Sequence, residues 1–341
     1  MKKLLLSLAA LAMIAVGCEK NENILSTSEK SVGLTILNGG GSGTKAVTAP
    51  SGDENFECAK AAELTVLFAD KAGKVVETRA LTAGTATPGT TAGEDGLTPT
   101  TYTFHKLPET VQQVAVIALR GNSAPENLTD AEALWKTETK NAEVADIVVY
   151  GASGQMTQNG TCLVDGVNYP FFEGKVRVAP AHTRLEVTSI QCTDLGENEY
   201  GYSKITLDKM TFGGEDVQTL GKELTSKDDV ATAGENKVWS WNWLAPKDVA
   251  NLVVDLTVEG KNYTVAIPKK TLTINGYKKD GQTINEFAVE NIYKLAIPFK
   301  ESNIDATDAY ICVDVEVTIA KWIVNTLTPS FATDPTNNPT N

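Results

Sequence analysis

The residues whose types could do chemistry are few and far apart. The 341-residue chain holds two histidines, His105 and His182, and neither sits in H-x-x-x-H or H-E-x-x-H spacing. No G-x-S-x-G elbow is present, so the strained turn that exposes a nucleophilic serine is missing. Aspartates and glutamates are plentiful but scattered, and no spacing marks an acid–base pair. The pattern predicts no catalytic residue, no metal and no cofactor, and so no enzyme.

Gly39-Gly40-Gly41-Ser42-Gly43-Thr44-Lys45-Ala46 has the glycine content of a phosphate loop but not its order. That loop needs Gly-Lys followed by Ser or Thr at the start of a helix. Here Lys45 follows Thr44 and precedes Ala46, and Val47-Thr48-Ala49-Pro50-Ser51-Gly52 is no helix. The third glycine of the dinucleotide pattern is also absent. The stretch reads as a flexible, exposed linker. Proteases cut such linkers, and Lys45 offers a trypsin-like site at its bond to Ala46.

Trp239-Ser240-Trp241-Asn242-Trp243 would place three indoles on one face of a strand. On a surface the row could stack on sugar rings; inside a sandwich it is core. Burial of large aromatics favours the core, and Ser240 and Asn242 would then face water. Cys58, Cys162, Cys192 and Cys312 form no C-x-x-C pair, which argues against a zinc or thioredoxin-like site. Four cysteines allow three disulfide pairings, and single buried thiols fit equally well.

The N-terminus reads as an address. Met1-Lys2-Lys3 is basic, and residues 4–16 are apolar but too short to span a bilayer. Ala15-Val16-Gly17-Cys18 resembles the bacterial lipobox, which implies cleavage before Cys18 and lipid on that residue. An ordinary secretory signal with an incidental cysteine is the alternative. Glu19-Lys20-Asn21-Glu22 resembles the surface-export signal of Bacteroidia lipoproteins. No later segment is long and apolar enough to cross a membrane, so lipid would be the anchor. The formal net charge is −13, and loss of Lys2 and Lys3 with the signal leaves −15. Such a surface repels phosphate backbones and disfavours nucleic acid as a partner.

These candidates must be positioned by strands. Alternation predicts strands at residues 31–37, with Val32, Leu34 and Ile36 on one face, and at 63–68 and 74–77 around a hairpin turn at Asp70-Lys71-Ala72-Gly73. Residues 82–101, rich in Thr, Gly and Pro, read as a loop. Residues 111–119 read as a strand buried on both faces in its second half. Thr129-Asp130-Ala131-Glu132 has capping-box spacing and predicts a helix to about Thr139, with Ala133 and Leu134 inward. Further strands are expected at 175–178, 182–187, 204–207, 238–243, 252–258, 263–267 and 293–299, with a turn at 259–262. Many short strands and few helices predict an all-β protein built of sandwiches, with a boundary near Ala179-Pro180.

Near the C-terminus Val313, Val315, Val317 and Ile319 alternate with Asp314, Glu316 and Thr318. Parity changes at Lys321, after which Trp322 and Val324 occupy the face that had been polar. Extended, residues 313–327 would reach roughly 50 Å, against about 17–20 Å for an ordinary strand. Either the run folds back as two strands or its end projects from the domain.

Taken together, these segments resemble the fimbrillins of Bacteroidia, the type V pilin family typified by the Porphyromonas major fimbrial subunit. Residues 31–37 followed by a loop ending in Lys45-Ala46 look like the family's first strand and protease site. Ala62-Glu63-Leu64-Thr65-Val66 looks like the opening strand of the processed subunit. His182-Thr183-Arg184-Leu185 is similar to the start of the second domain. Val289-Glu290-Asn291-Ile292-Tyr293-Lys294-Leu295 is similar to a late strand. Residues 315–324, a valine-rich strand running into Trp322, look most like the pilin ending.

The resemblance implies an all-β chain of two transthyretin-like β-sandwich domains with few short helices. It implies a signal peptide at 1–17, a propeptide at 18–45 holding the first strand, sandwiches at 46–179 and 180–341, and a donor segment at 320–331. An outer membrane lipoprotein precursor would be cut between Lys45 and Ala46. Loss of Val32, Leu34 and Ile36 would open a groove. Trp322, Ile323, Val324 and Leu327 of a neighbouring subunit would fill it, giving a cell-surface fimbria with no catalytic activity. Its partners would be identical or related fimbrial subunits, the outer membrane through lipid before cleavage, and a host or bacterial surface ligand. The alternative is a monomeric surface lipoprotein that binds a glycan or host ligand. The sequence departs from the family's pattern in placing Lys45 where arginine is common, in its four further cysteines, and in the polar tail 332–341.

The lipobox makes Cys18 the attachment point. Cys18→Ala should leave the precursor without lipid, and labelled palmitate still appearing on that variant would reject the assignment.

Overall fold

Period-two alternation builds most of this chain. Val32, Leu34 and Ile36 are buried in one strand, Tyr102 and Phe104 in another, and Leu252, Val254, Leu256 and Val258 in a third. A computed structural model describes residues 28–37, 61–89, 99–137, 147–197, 201–235, 237–260, 269–305 and 315–321.

The first half carries β1 (Glu29–Leu37), β2 (Leu64–Ala69), β3 (Val75–Ala80), β4 (Thr85–Pro88), β5 (Thr100–Pro108), β6 (Gln113–Ala118), helix α1 (Leu128–Trp135), β7 (Val149–Ser153), β8 (Thr157–Val164), β9 (Val167–Arg177) and β10 (Ala179–Pro180). One sheet has the order β4-β5-β1-β9-β8 and the other β10-β7-β6-β2-β3. Val32, Leu34, Phe104 and Val176 of the first meet Leu64, Val66, Phe68, Val114 and Val149 of the second in one core. That is a β-sandwich, the all-β architecture expected.

The second half carries β11 (His182–Cys192), β12 (Tyr202–Phe212), β13 (Asp216–Leu224), β14 (Trp239–Leu244), β15 (Lys247–Asp248), β16 (Leu252–Gly260), β17 (Lys269–Ile274), β18 (Tyr277–Lys279), β19 (Gln282–Thr283), β20 (Glu286–Phe287), β21 (Asn291–Phe299), helix α2 (Ser302–Asp305) and β22 (Val315–Lys321). The sheets are β14-β11-β21-β22-β18-β19 and β13-β12-β16-β17, with β15 and β20 paired apart. Their inner faces share a second core, from Leu185 and Trp241 to Leu207, Val254 and Leu272.

The two halves repeat a pattern. β1 runs antiparallel to β5 and parallel to β9, which is antiparallel to β8. β11 runs antiparallel to β14 and parallel to β21, which is antiparallel to β22. At the junction Ile292 of β21 is buried in the first core. Arg177 pairs with Glu290, Trp135 Nε1 donates to Ala179 O at 2.9 Å, and Glu290 N donates to His182 O at 2.9 Å.

Several local expectations change. The stretch 82–101 is not simply a loop, because β4 pairs with β5 from Thr85 opposite Thr103 to Pro88 opposite Thr100. Helix α1 is capped by Asn127, whose Oδ1 accepts from Asp130 N at 2.8 Å, so Thr129 lies inside it. Its buried stripe therefore runs through Ala131, with Leu128, Leu134 and Trp135 half-buried, and Ala133 is exposed. This stripe covers Leu67, Ala115 and Ile117; Val114, Val116 and Ala118 face the sandwich core, so β6 is buried on both faces as its composition indicated. The strand expected at 263–267 lies outside the described residues.

The three tryptophans are core: Trp239, Trp241 and Trp243 are 5%, 1% and 4% exposed. Trp241 and Trp243 stack with centroids 6.3 Å apart, and Trp243 Nε1 donates to Asp216 at 2.9 Å. The other face of β14 does not simply meet water. Asn242 is buried, and its Oδ1 accepts from Arg184 Nη1 at 3.2 Å. Arg184 also pairs with the fully buried Glu186 at 2.6 Å.

His182 opens β11 in a buried position, and burial pushes its imidazole from 6.5 down to about 4. Between those values the unfolded chain binds a proton that the folded chain refuses. Stability held above about pH 6.5 is therefore lost as pH falls toward 4, by up to ~3 kcal/mol. Urea unfolding at about pH 7 and about pH 4.5 should show a smaller drop for His182→Asn than for the wild type. Equal drops would remove His182 from the account.

Candidate functional site

No described group of His, Cys, Asp and Glu is placed to hold a metal ion. His105 and His182 belong to different sandwiches, on β5 and β11. Cys192 is a buried thiol that donates to Asp194 at 3.6 Å. Burial pushes its pKa up to about 12, which makes it inert as a nucleophile. What the structure does assemble is a strand seat.

β1 lies in the middle of its sheet, with neighbours distant in the chain. Val32 sits opposite Phe104 and Phe172, Leu34 opposite Tyr102 and Gly174, and Ile36 opposite Thr100 and Val176. Val32, Leu34 and Ile36 are completely buried. Together they are worth roughly 5–9 kcal/mol as area removed from water, an upper bound because unfolded chains already bury some surface.

The N-terminal end and the outer face of β1 are held as well. Before Val32 the register shifts by one extra residue in β5, and Lys30, two residues before Val32, points inward with it by plain alternation. Its Nζ donates to Val111 O at 2.7 Å and lies 4.2 Å from the Phe172 ring centre. Burial lowers the amino pKa, with Glu109 acting the other way. On the outer face Ser31 Oγ is 2.9 Å from His105 Nδ1, and Thr35 Oγ1 is 3.0 Å from Thr101 Oγ1. Burial holds the His105 imidazole below its usual value, helped by Arg79 and opposed by Asp165. Between the two hydroxyls lies Gly33, where an added Cβ would stand 2.6 Å from Phe171 Cζ. A glycine inside a strand leaves a gap that a diagonal aromatic can cover, and Phe171 does so.

Of the residues singled out by sequence, Val32, Leu34 and Ile36 are brought together in this seat. Cys18, Lys45, Ala46, Trp322, Ile323, Val324 and Leu327 lie outside the described residues. β22 pairs Ala320 with Ile292 and Lys321 with Asn291, so these two residues belong to the chain's own sheet rather than to a projecting segment. Sequence reasoning missed Lys30, Gly33 and Phe171. A lysine, a glycine and a phenylalanine in a strand carry no local signal; only the register between β1 and β9 joins them.

Leu34→Ala in the uncut chain should destabilise the first sandwich by about 2–5 kcal/mol. Hydrogen exchange should rise in β5 and β9 while β12 and β16 stay protected. Unchanged protection in β5 and β9 would show that β1 is not integral to the sheet.

No protein-family profile matches the sequence, and no curated protein sequence matches it. Among solved structures, a candidate cell adhesion protein from Bacteroides eggerthii matches with a TM-score of 0.50 at 12% identity, covering 90% of this chain and 100% of that one. Another from Parabacteroides distasonis has a TM-score of 0.49 at 14% identity, covering 89% and 99%. A fimbrilin from Porphyromonas gingivalis has a TM-score of 0.49 at 14% identity, covering 88% and 99%. At such identities the likeness is one of fold: the chain shares its all-β sandwich architecture with the Bacteroides eggerthii protein over nearly its whole length.

Proposed function

We propose that this protein is a structural subunit of a cell-surface fimbria that polymerises by exchanging strands between copies. One observation carries the reading: β1 is a central strand with Val32, Leu34 and Ile36 fully buried, and it precedes the glycine-rich linker ending in Lys45 and Ala46. A single cut in that linker would leave β1 held by non-covalent contacts alone. Its loss would open an apolar groove between β5 and β9, lined on both sides by unpaired backbone. An extended segment from another copy fits such a groove by β-strand addition. Because donor and acceptor are different surfaces, the contact is heterologous and propagates a filament.

In this reading the precursor is anchored at the outer membrane by lipid on Cys18, and residues 18–45 are removed. Residues 46–179 and 180–341 are its two sandwich domains. The donor segment begins at Trp322, just past β22, with Trp322, Ile323, Val324 and Leu327 supplying its apolar groups. Neighbours solved as a fimbrilin and as candidate cell adhesion proteins agree with this role, and adhesion to a host or bacterial surface would follow from the filament. Burial of the Trp239, Trp241 and Trp243 row leaves the monomeric glycan binder without the surface that suggested it.

The test is trypsin treatment of the recombinant precursor, followed by size-exclusion chromatography and electron microscopy. The cut should follow Lys45, and filaments should form only afterwards. A chain lacking residues 322–341 should stay folded by circular dichroism and stay monomeric when cut. Polymers from the truncated chain, or none from the cut full chain, would sink the reading.

A further inference from the structure

The groove has two faces, and they discriminate differently. The inner face asks for apolar groups at alternate positions. The outer face of β1 presents Ser31, Gly33 and Thr35, and it meets His105, the Phe171 ring and Thr101 in turn. Ser31 and Thr35 show that the first and third positions already hold a side chain. The middle position is different, because Phe171 lies where any side chain would have to go. A Cβ there would stand 2.6 Å from Cζ and 3.3 Å from Cε2 of that ring. The chain contains no glycine after Gly281. A copy that offers its C-terminal stretch therefore cannot reproduce this contact in any register.

We propose that Phe171 is a latch that distinguishes the resident strand from an incoming one. Resting on the proposed strand exchange, the inference names the side chain that sets its specificity and pace. The ring closes over Gly33 while β1 is in place. It must swing outward before a segment such as residues 322–331 of a second copy can seat. Phe171 is only half-buried, so the swing is toward solvent and no core group has to move. The latch therefore favours the resident strand after the cut and makes ring rotation part of the exchange.

Two measurements test this, one needing no cut. In the uncut chain, hydrogen exchange of the β1 amides should rise in Gly33→Ala. Gly33→Ala should add little when Phe171→Ala is already present, because the clash has gone. Additive effects of the two substitutions would overturn the latch and leave strand exchange standing. In the trypsin-cut chain, labelled synthetic peptides of residues 28–37 and 322–331 compete for the groove. The wild type should favour 28–37, and Phe171→Ala should shift that preference toward 322–331 by about tenfold. A 28–37 peptide with alanine for Gly33 should bind the wild type more weakly and the Phe171→Ala chain as well as before. A merely structural ring would weaken both peptides alike and overturn the inference. No displacement by either peptide in the cut wild type would overturn the exchange reading, and the latch with it.

Discussion

Between β5 and β9 lies a slot one strand wide, and β1 fills it. Each neighbour turns a full edge of backbone donors and acceptors toward that slot. Buried backbone groups left without partners cost free energy comparable to lost hydrogen bonds. The floor of the slot is the first core, where Val32, Leu34 and Ile36 touch residues drawn from both sheets. The sandwich therefore cannot close around an empty slot. In the proposed exchange, another strand that brings backbone partners and apolar groups at alternate positions would take its place.

The second sandwich shows what a committed strand looks like in the same place. β11 occupies the position of β1, between one antiparallel and one parallel neighbour. It follows β10 after the single residue Ala181, whereas residues 38–60 separate β1 from the next described element. β11 is also bound by side chains to its neighbour: Thr183 and Thr188 donate to Asn291 O and Leu295 O, each at 3.1 Å. Its outer face carries the buried pair of Arg184 and Glu186, joined to Asn242. Breaking a buried ion pair strands a charge away from water, so β11 resists removal. The described contacts on the outer face of β1 include two hydroxyl contacts and a glycine under a ring. A buried ion pair ties the strand of the second sandwich, and the buried Val32, Leu34 and Ile36 pack the strand of the first.

Much of this was legible in the sequence because strands announce themselves by alternation. Val32, Leu34 and Ile36, the paired runs around Asp70 to Gly73, and the burial of β6 on both faces all follow from period and turn chemistry. The tryptophan row was readable as core because three indoles on one strand face are costly to leave in water. The failures are of another kind. Thr129 satisfied the capping-box spacing, yet Asn127 caps α1, because two suitable caps lay within one turn and local pattern does not rank them. Asn242 was assigned to water by parity alone, and Arg184 on the neighbouring strand gave it a buried partner instead. β4 escaped notice since Thr, Ala and Pro carry no apolar alternation, and its edge position needs none. Lys30, Gly33 and Phe171 could not be read as a unit, since about 140 residues separate β1 from β9 and parallel register is not encoded in either strand by itself.

The two faces of the slot have different tolerance, and this bears on how a groove can be both secure and exchangeable. Apolar cores accept substitutions that conserve volume and pattern, so in the proposed exchange the inner face would take Val, Ile, Leu or Trp from another segment. That face supplies affinity without much selectivity. On the outer face Ser31 and Gly33 are buried while Thr35 and the covering Phe171 ring are half-buried, and a contact there can still exclude a shape. A ring over a glycine is such a contact: it costs nothing for a strand with no side chain there and obstructs every other. Placing the discriminating contact on the solvent side has a kinetic consequence too. Phe171 is half-buried, so in the proposed exchange the barrier would be one ring rotation and the peeling of one strand. Had the same discrimination been built inside, among Phe68, Phe104 and Val114, a strand could change only if the sandwich itself loosened. Under the proposed exchange this arrangement would separate holding from choosing: the core would hold whichever strand is present, and the outer face would choose which one that is.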